Sequence, residues 1–138
     1  MMDNEHVQLP LKDCIVLIVE DEYFIAEDLR SALERAGAKV LGPVAELSEA
    51  IEMVNRDGFD VAIIDINLHG HSAYVLADEL ARQDVPFVFA TGYSAEVIPE
   101  RFRHVKRWEK PYELGEVLDD VAGLCRRRRT SGRHARLR

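Results

Sequence analysis

The sequence predicts one α/β domain built on a parallel sheet, and three observations predict it. Apolar runs rich in β-branched residues recur along the chain without polar alternation, as is typical of strands buried on both faces of a parallel sheet. Stretches with helical periodicity separate these runs. The length of 138 residues is enough to bury a core and too short for two full domains. We therefore expect five strands alternating with five helices.

The predicted strands share an apolar composition and an abrupt end, and they cover residues 14–19, 39–41, 61–64, 86–90 and 105–109. The first is a continuous β-branched run, and Gly42-Pro43 closes the second. The third ends on Asp65, and the fourth ends on Thr91-Gly92. The fifth is a poor strand by composition, and Lys110-Pro111 closes it.

The predicted helices share one apolar face, and these faces fall within residues 24–36, 48–56, 75–81, a short segment near 98 and 114–124. Gly37 is the expected stop of the first helix, because glycine tolerates the left-handed conformation that ends helices. Ser72 is a candidate cap of the third. Pro99 suits only a first turn, so the fourth helix is predicted to be short.

Charge divides the chain unevenly. The net charge is −7, yet residues 126–138 hold seven Arg and no acid, so residues 1–125 hold 11 Lys/Arg against 25 Asp/Glu, a net charge of −14. This acidic body excludes a uniformly basic nucleic-acid binder. We expect a polar extension over residues 1–12, a domain over 13–125 and a basic, disordered tail over 126–138. The tail is a solvated extension or a contact for nucleic acid, acidic lipid or an acidic partner.

Other classes of protein are excluded by what the sequence lacks. No apolar run approaches the roughly 18–20 residues that span a bilayer. The first residues are acidic and polar, which is wrong for a secretory signal. Cys14 and Cys125 lie 111 residues apart without C-x-x-C spacing. That spacing favours two buried apolar side chains in a reducing cytoplasm over a disulfide framework or a zinc site.

Polar residues follow the carboxyl ends of four predicted strands: Glu20 and Asp21, Asp65, Thr91, and Lys110. Because parallel strands bring these ends to one edge of the sheet, we expect the side chains to meet there. Three crowded carboxylates repel one another and call for a cation, and oxygen ligands favour Mg²⁺. A hydroxyl and an ammonium beside a metal-bound carboxylate are typical of phosphoryl transfer.

Each residue also has a plainer interpretation. Glu20 and Asp21 are candidates for an acidic first turn that complements the helix dipole. Asp65, Thr91 and Lys110 are candidates for ordinary turn residues. His69 and His71 are interpreted as facing solvent rather than as metal ligands.

Four segments in order carry a family resemblance: Val19-Glu20-Asp21-Glu22, Ile64-Asp65-Ile66-Asn67, Ala90-Thr91-Gly92 and Lys110-Pro111. The sequence resembles the response regulator receiver domain, the phosphoacceptor half of two-component signalling, over about residues 12–125. Residues 86–93, together with 65–70, resemble the FAT GUY receivers of alphaproteobacteria. The resemblance implies a doubly wound, flavodoxin-like sheet of strand order 2-1-3-4-5 with five helices.

The resemblance also implies roles for the site residues. Asp65 resembles the phosphoacceptor. Asp21 resembles a direct Mg²⁺ ligand, with Glu20 acting through water and the backbone carbonyl of Asn67 completing the protein ligands. Thr91 is implied to bond the phosphoryl group, and Lys110 is implied to pair with it. The implied partners are sensor histidine kinases, of the HWE or a related class.

Three departures from the family pattern qualify these implications. Arg107 stands where receivers usually carry the switch aromatic, and Trp108 is predicted to face the other way. The FAT GUY resemblance makes Tyr93 the candidate switch aromatic beside Thr91, with a surface loop tyrosine as the alternative. His69 replaces the usual proline. The third departure is Pro99, which shortens the fourth helix within residues 94–103, beside a basic stretch over 101–107 that is either an output face or solvated surface.

We therefore expect a cytoplasmic, single-domain response regulator that signals through protein–protein contact as an output, a relay or a phosphate sink. We expect no enzymatic activity beyond self-catalysed phosphorylation and dephosphorylation, and neither membrane nor nucleic acid as a partner. Two alternatives remain. One is a Mg²⁺-dependent phosphatase-like hydrolase, for which Asn67 stands where haloacid-dehalogenase enzymes carry a second Asp. The other is a phosphorylation-independent binding module.

Overall fold

The computed structural model describes residues 9–92 and 98–130. The strands in these residues are β1 (Ile15–Val19), β2 (Lys39–Val44), β3 (Val61–Asp65), β4 (Asn67–Leu68), β5 (His71–Ser72), β6 (Phe87–Thr91) and β7 (Arg107–Glu109). The α-helices of this part of the chain are α1 (Tyr23–Arg35), α2 (Leu47–Arg56), α3 (Tyr74–Arg82) and α4 (Leu114–Thr130), and a 3₁₀ turn covers Glu100–Phe102. No helix in these two ranges has the length and apolar character to cross a membrane.

Five strands form a parallel sheet in the order β2-β1-β3-β6-β7. Numbered by their place among the predicted strands, this is the expected order 2-1-3-4-5, so the fold prediction is confirmed. β3 is the central strand, with β1 and β6 on either side, and the pairing of β1 with β3 places Val19 opposite Ile64. The carboxyl ends of β1, β3, β6 and β7 therefore lie along one edge.

The core consists of two layers, because successive side chains of a strand point to opposite faces. One layer packs Leu17, Ile64 and Phe89 against apolar residues of α2 and α3. The other packs Val16, Ile63 and Val88 against α1 and α4. Burial on both faces explains why these strands are continuously apolar.

The second strand is longer than predicted. β2 continues through Gly42-Pro43, and the peptide bond between these residues is cis. Proline is tolerated because β2 is an edge strand and the pairing with β1 shifts register between Leu17 and Val19. Gly42 has φ +93°, and a Cβ there would lie 2.7 Å from the Ile18 carbonyl oxygen, so this irregularity requires glycine.

The α-helices number four in the described residues rather than the five predicted. Where the short fourth helix was expected, the described residues form only the 3₁₀ turn Glu100–Phe102, which follows Pro99. Ser72 does not cap α3 from the N-cap position, which Ala73 occupies; its hydroxyl instead accepts the Tyr74 N–H at 3.3 Å.

The last helix continues beyond the predicted domain boundary. α4 extends to Thr130, so residues 126–130 are helical, and the prediction of a disordered tail beginning at 126 is wrong for them. Arg128 is buried, and its Nη1 donates to the Asp84 carbonyl at 3.0 Å. Residues 131–138 lie outside the described residues.

The two cysteines correct a second expectation. Cys14 and Cys125 form a disulfide, with a Cα–Cα distance of 6.2 Å, although the sequence favoured two separate apolar side chains. Both residues are buried, Cys14 just before β1 and Cys125 within α4. The reason is topological: the fold lays the last helix over the start of the first strand, and sequence spacing carries no trace of that contact.

Candidate phosphoryl-transfer site

Lys110 is the centre of the cluster at the carboxyl edge of the sheet. Its Nζ lies 2.9 Å from Glu20 Oε1, 3.2 Å from Asp65 Oδ2 and 3.2 Å from Glu22 Oε1. Glu20 and Asp65 are buried, and the Lys110 side chain is 10% exposed. Charges this well shielded from water interact more strongly than surface pairs.

The strands fix the cluster through their backbones. The Lys110 N–H donates to the Thr91 carbonyl at 2.8 Å, which joins β6 to the residue that follows β7. The Glu20 N–H donates to the Val44 carbonyl at 2.9 Å, just past the irregular segment of β2. Asp65 Oδ1 accepts the Asn67 N–H at 3.1 Å, so one oxygen is held by the backbone while Oδ2 faces Lys110.

Asp21 is positioned by a hairpin that the sequence did not predict. The expected loop after Asp65 forms the antiparallel pair β4–β5, with His69 and Gly70 as its turn. Both have positive φ, +50° and +84°, as a two-residue primed turn requires. The His69 N–H donates to Asp21 Oδ2 at 2.8 Å, and Gly70 N–H donates to Asn67 Oδ1 at 2.9 Å.

Three carboxylates meet as the sequence predicted. Glu20, Asp21 and Asp65 each offer an oxygen, and these oxygens lie within 4.8 Å of one another. Carboxylate oxygens alone are the donor set of a hard cation such as Mg²⁺. The residues therefore fit that ion, and Asn67 lines a cavity together with Asp21 and Asp65.

Burial shapes the protonation of this cluster. Desolvation raises the pKa of Glu20 to about 7, and the nearby Asp65 charge adds to the rise, while Lys110 opposes it. Desolvation also raises the pKa of Asp65. Burial alone would lower the pKa of Lys110, but the hydrogen bond and charge of Glu20 and the charge of Asp65 outweigh it and raise that pKa. A bound divalent cation would supply positive charge that balances the ionised carboxylates.

A cavity of about 580 Å³ opens onto Asp65. Its lining includes Thr91, Gly92 and Lys110 together with Asp21, Asn67 and the turn at His69 and Gly70. Thr91 is buried at the end of β6 and lines the same cavity as Asp65. The cavity gives a donor access to Asp65.

Two residues of the site were missed at the level of sequence. Glu22 belongs to the first family segment but had no predicted role, and its carboxylate accepts a hydrogen bond from Lys110. Tyr112 packs against Trp108 at 5.6 Å between ring centroids, and burial raises its pKa to about 12. Its position two residues after Lys110 was the available signal.

The remaining sequence predictions concern Arg107, Trp108, His69 and Tyr93. Arg107 is exposed, and the neighbouring Trp108 side chain is buried. The Trp108 indole N–H donates to an Asp120 carboxylate oxygen at 2.8 Å. The His69 ring nitrogens lie 3.5 Å from Asp21 and 3.6 Å from Glu46, at a side chain 52% exposed. Tyr93, the candidate switch aromatic, lies outside the described residues.

The family model described as "Response regulator receiver domain" matches residues 16–107, well over half of the chain. The Phyllosphere-induced regulator PhyR of Methylorubrum extorquens is 32% identical over 111 residues, which are 74% of this chain and 40% of that protein. The transcriptional activator PfeR of Pseudomonas aeruginosa is 28% identical over 91% of this chain and 42% of its own length. The chain thus spans about two fifths of these relatives.

Solved structures give the same result. The solution structure of SdrG from Sphingomonas melonis Fr1 is 38% identical with a TM-score of 0.71, and the match covers 83% of this chain and 97% of that one. A response regulator receiver protein from Sinorhizobium medicae is 24% identical with a TM-score of 0.72 over 86% of this chain and 98% of that one, a likeness of fold alone.

Proposed function

Because this chain belongs to the response regulator receiver domain family, whose members accept phosphoryl groups in signalling, we propose that its acceptor is Asp65 and its donor a phosphohistidine of a sensor histidine kinase. The observation that carries the proposal is the position of the Asp65 carboxylate. It lines an open cavity with one oxygen held by the Asn67 N–H and the other 3.2 Å from Lys110 Nζ.

Each residue of the cluster has a part in the transfer. The ionised Asp65 carboxylate attacks phosphorus, so an O–P bond forms while the donor's N–P bond breaks and the electron pair returns to the imidazole. Lys110 and the Thr91 hydroxyl stabilise charge on the phosphoryl oxygens. Asp21, Asp65 and the Asn67 carbonyl would hold Mg²⁺, with Glu20 acting through water. When bound, Mg²⁺ neutralises charge on the phosphoryl group.

The response to phosphorylation is proposed to begin at Thr91. An acyl phosphate adds roughly −1.5 to −2 charge units, by analogy with other phosphorylated side chains, and Thr91 and Lys110 are the groups placed to move toward it. The resemblance of residues 86–93 to the FAT GUY receivers supports Tyr93 as the aromatic that follows. If Tyr93→Ala leaves the spectral change and the partner affinity of the phosphorylated protein unaltered, this role is wrong.

The kinase is proposed to approach over the start of α1. Tyr23 and Phe24 are 69% and 80% exposed, their rings pack edge to face, and they directly follow Glu22, which binds Lys110. Exposed aromatic pairs of this kind are typical of protein contacts. The HWE class of kinase rests on the subgroup resemblance alone, and a cytoplasmic location is proposed on the same ground.

Acetyl phosphate with Mg²⁺ tests the proposal. We expect one phosphoryl mass on wild-type protein, none on Asp65→Asn, and an undiminished gain on Asp84→Asn, an exposed aspartate whose φ of +59° asparagine tolerates. Beryllofluoride is expected to change the fluorescence of Trp108.

Two results would contradict the proposal. A wild-type protein with neither mass gain nor spectral change is a phosphorylation-independent binding module. Sustained turnover of a generic phosphate ester would make the chain a hydrolase.

A further inference from the structure

A second cavity, of about 610 Å³, lies at the opposite end of the sheet. We name it the basic groove; it runs between the segment 101–106 on one side and the end of α4 on the other, with the start of β6 beneath. Phe87 in its floor is four residues before Thr91 on the same strand, about 13 Å away at the usual rise of a strand. The basic groove is therefore separate from the phosphoryl-transfer site.

The rim of the basic groove is cationic on both sides. Arg101 and Lys106 line one side, Arg127 and Arg128 line the other, and Asp84 is the one acidic residue of its described lining. Neighbouring acids balance part of this charge, since Arg101 binds Asp78 and Lys106 lies 3.6 Å from Asp120. The basic character nevertheless contrasts with residues 1–125, whose net charge is −14.

The floor of the basic groove is apolar. Phe87, Val105 and Leu124 are half-buried, and Phe102 beside them is buried. The Phe87 and Phe102 rings pack edge to face at 6.0 Å, and the Arg101 guanidinium lies over the Phe102 ring, 4.7 Å from its centroid. An occupant that matches this surface needs carboxylates at its edges and apolar side chains between them.

We propose that the basic groove binds an acidic peptide segment of a partner protein, whose carboxylates meet the arginine rim and whose aliphatic or aromatic side chains meet the Phe87 and Leu124 floor. Charge complementarity and the apolar floor together favour this occupant. A nucleic acid would offer phosphates to the rim, but its long polyanion would also meet the acidic body of the domain. The unphosphorylated protein has the groove, so the proposal stands apart from the role of Asp65.

Fluorescence anisotropy on the full, unphosphorylated chain tests the proposal, with a fluorescein-labelled peptide of alternating Glu and Leu as the probe. Arg127→Glu is expected to weaken binding about tenfold, because it reverses a rim charge. Arg126→Glu is the matched control: it makes the same charge change at the neighbouring exposed residue of α4, outside the groove lining. We expect the control to stay within about twofold of wild type.

Variants of the peptide distinguish binding in the basic groove from nonspecific electrostatic attraction to the protein. Replacing Leu by Ser in the peptide is expected to weaken binding, and replacing Glu by Lys is expected to abolish it. The proposal is overturned if the wild-type chain does not bind the Glu-Leu peptide, if the Ser peptide binds equally well, if the two arginine variants lose equal affinity, or if duplex DNA binds more tightly. Asp65→Asn is expected to bind like wild type, and acetyl phosphate labelling of Arg127→Glu is expected to be normal, so each proposal can fail alone.

Discussion

The two ends of the parallel sheet are held together by different chemistry. At the carboxyl edge, Lys110 joins Glu20 and Asp65 through ion pairs and hydrogen bonds. At the opposite end, the Cys14–Cys125 disulfide fastens the start of β1 to α4, and the buried Arg128 bonds the Asp84 carbonyl. The same strands serve both ends, since β6 begins at Phe87 and ends at Thr91.

The difference teaches where the domain is free to change. Ion pairs rearrange when a cation or a phosphoryl group arrives, because each new charge alters the balance among the others. A disulfide and a buried guanidinium do not exchange in this way. The ion pairs at the carboxyl edge can therefore rearrange, while the disulfide and Arg128 hold the opposite end of the sheet in place.

Breaking the covalent fastening is expected to have the largest effect. Replacing both cysteines by alanine, Cys14→Ala with Cys125→Ala, should lower the free energy of unfolding by about 4 kcal/mol, because the bond closes a loop of 111 residues. Urea denaturation measures this change. Dithiothreitol should destabilise wild-type protein and leave the double variant unchanged. Equal stability of oxidised and fully reduced wild-type protein would contradict the prediction.

Removing the cation at the carboxyl edge comes next. Lys110→Met should lower the stability of the metal-free protein at pH 8 by about 3 kcal/mol, because it leaves buried carboxylates without their partner. The loss should shrink at pH 5, where Glu20, with a pKa raised to about 7 by burial, is protonated.

Lys106→Met is the matched control for that change. Its amine lies 3.6 Å from Asp120 on a side chain 60% exposed, so the cost should stay within about 0.5 kcal/mol. Similar losses in the two variants would remove the distinction between the buried cluster and an ordinary surface pair.

The hairpin turn gives a smaller, more local effect. His69→Pro introduces the residue that receivers usually carry, yet it should weaken Mg²⁺ binding about tenfold in this chain. Its turn needs φ +50° where proline fixes φ near −65°, and proline also removes the N–H that holds Asp21. Isothermal titration calorimetry measures the affinity. His69→Asn, which tolerates positive φ, should bind Mg²⁺ like wild type; equal affinity in the proline variant would show that the turn does not position Asp21.

Proton linkage is expected to give the mildest effect. Between pH 6 and 8 Glu20 loses its proton, so Mg²⁺ affinity should rise, by at most about tenfold per pH unit. The raised pKa of Glu20 also affects stability. The metal-free protein should lose stability as pH rises from about 4.5 toward 7, because Glu20 keeps its proton in the native state and loses it in the unfolded chain. Glu20→Gln should flatten both profiles, and a pH-independent affinity in wild type would refute the linkage.

Much of the fold follows from local sequence. The apolar runs that became β1, β3 and β6 have no polar alternation, and only a sheet covered on both faces accommodates them. The acids and Lys110 that end these strands then meet because parallel strands share an edge. Glu20, Asp21, Asp65 and Lys110 were predicted together for this reason.

The features that sequence missed depend on distant contacts or on backbone geometry. The disulfide requires α4 to cross the start of β1, a contact between residues 111 positions apart. The arginine-rich composition of residues 126–130 alone indicates a tail. The helix continues to Thr130, however, and the buried Arg128 side chain donates a hydrogen bond to the distant Asp84 carbonyl. The hairpin depends on positive φ at His69, a residue type that gives no strong signal for it.

The disulfide also makes most of the domain a covalent ring. The ring runs from Cys14 to Cys125 and contains each residue proposed for phosphoryl transfer, from Glu20 to Lys110. A protease that cuts one bond within it would open the backbone without releasing a fragment, and the two pieces would separate on a gel only after reduction. A single cut in an exposed loop would therefore leave both pieces, and the site residues they carry, covalently joined through the disulfide.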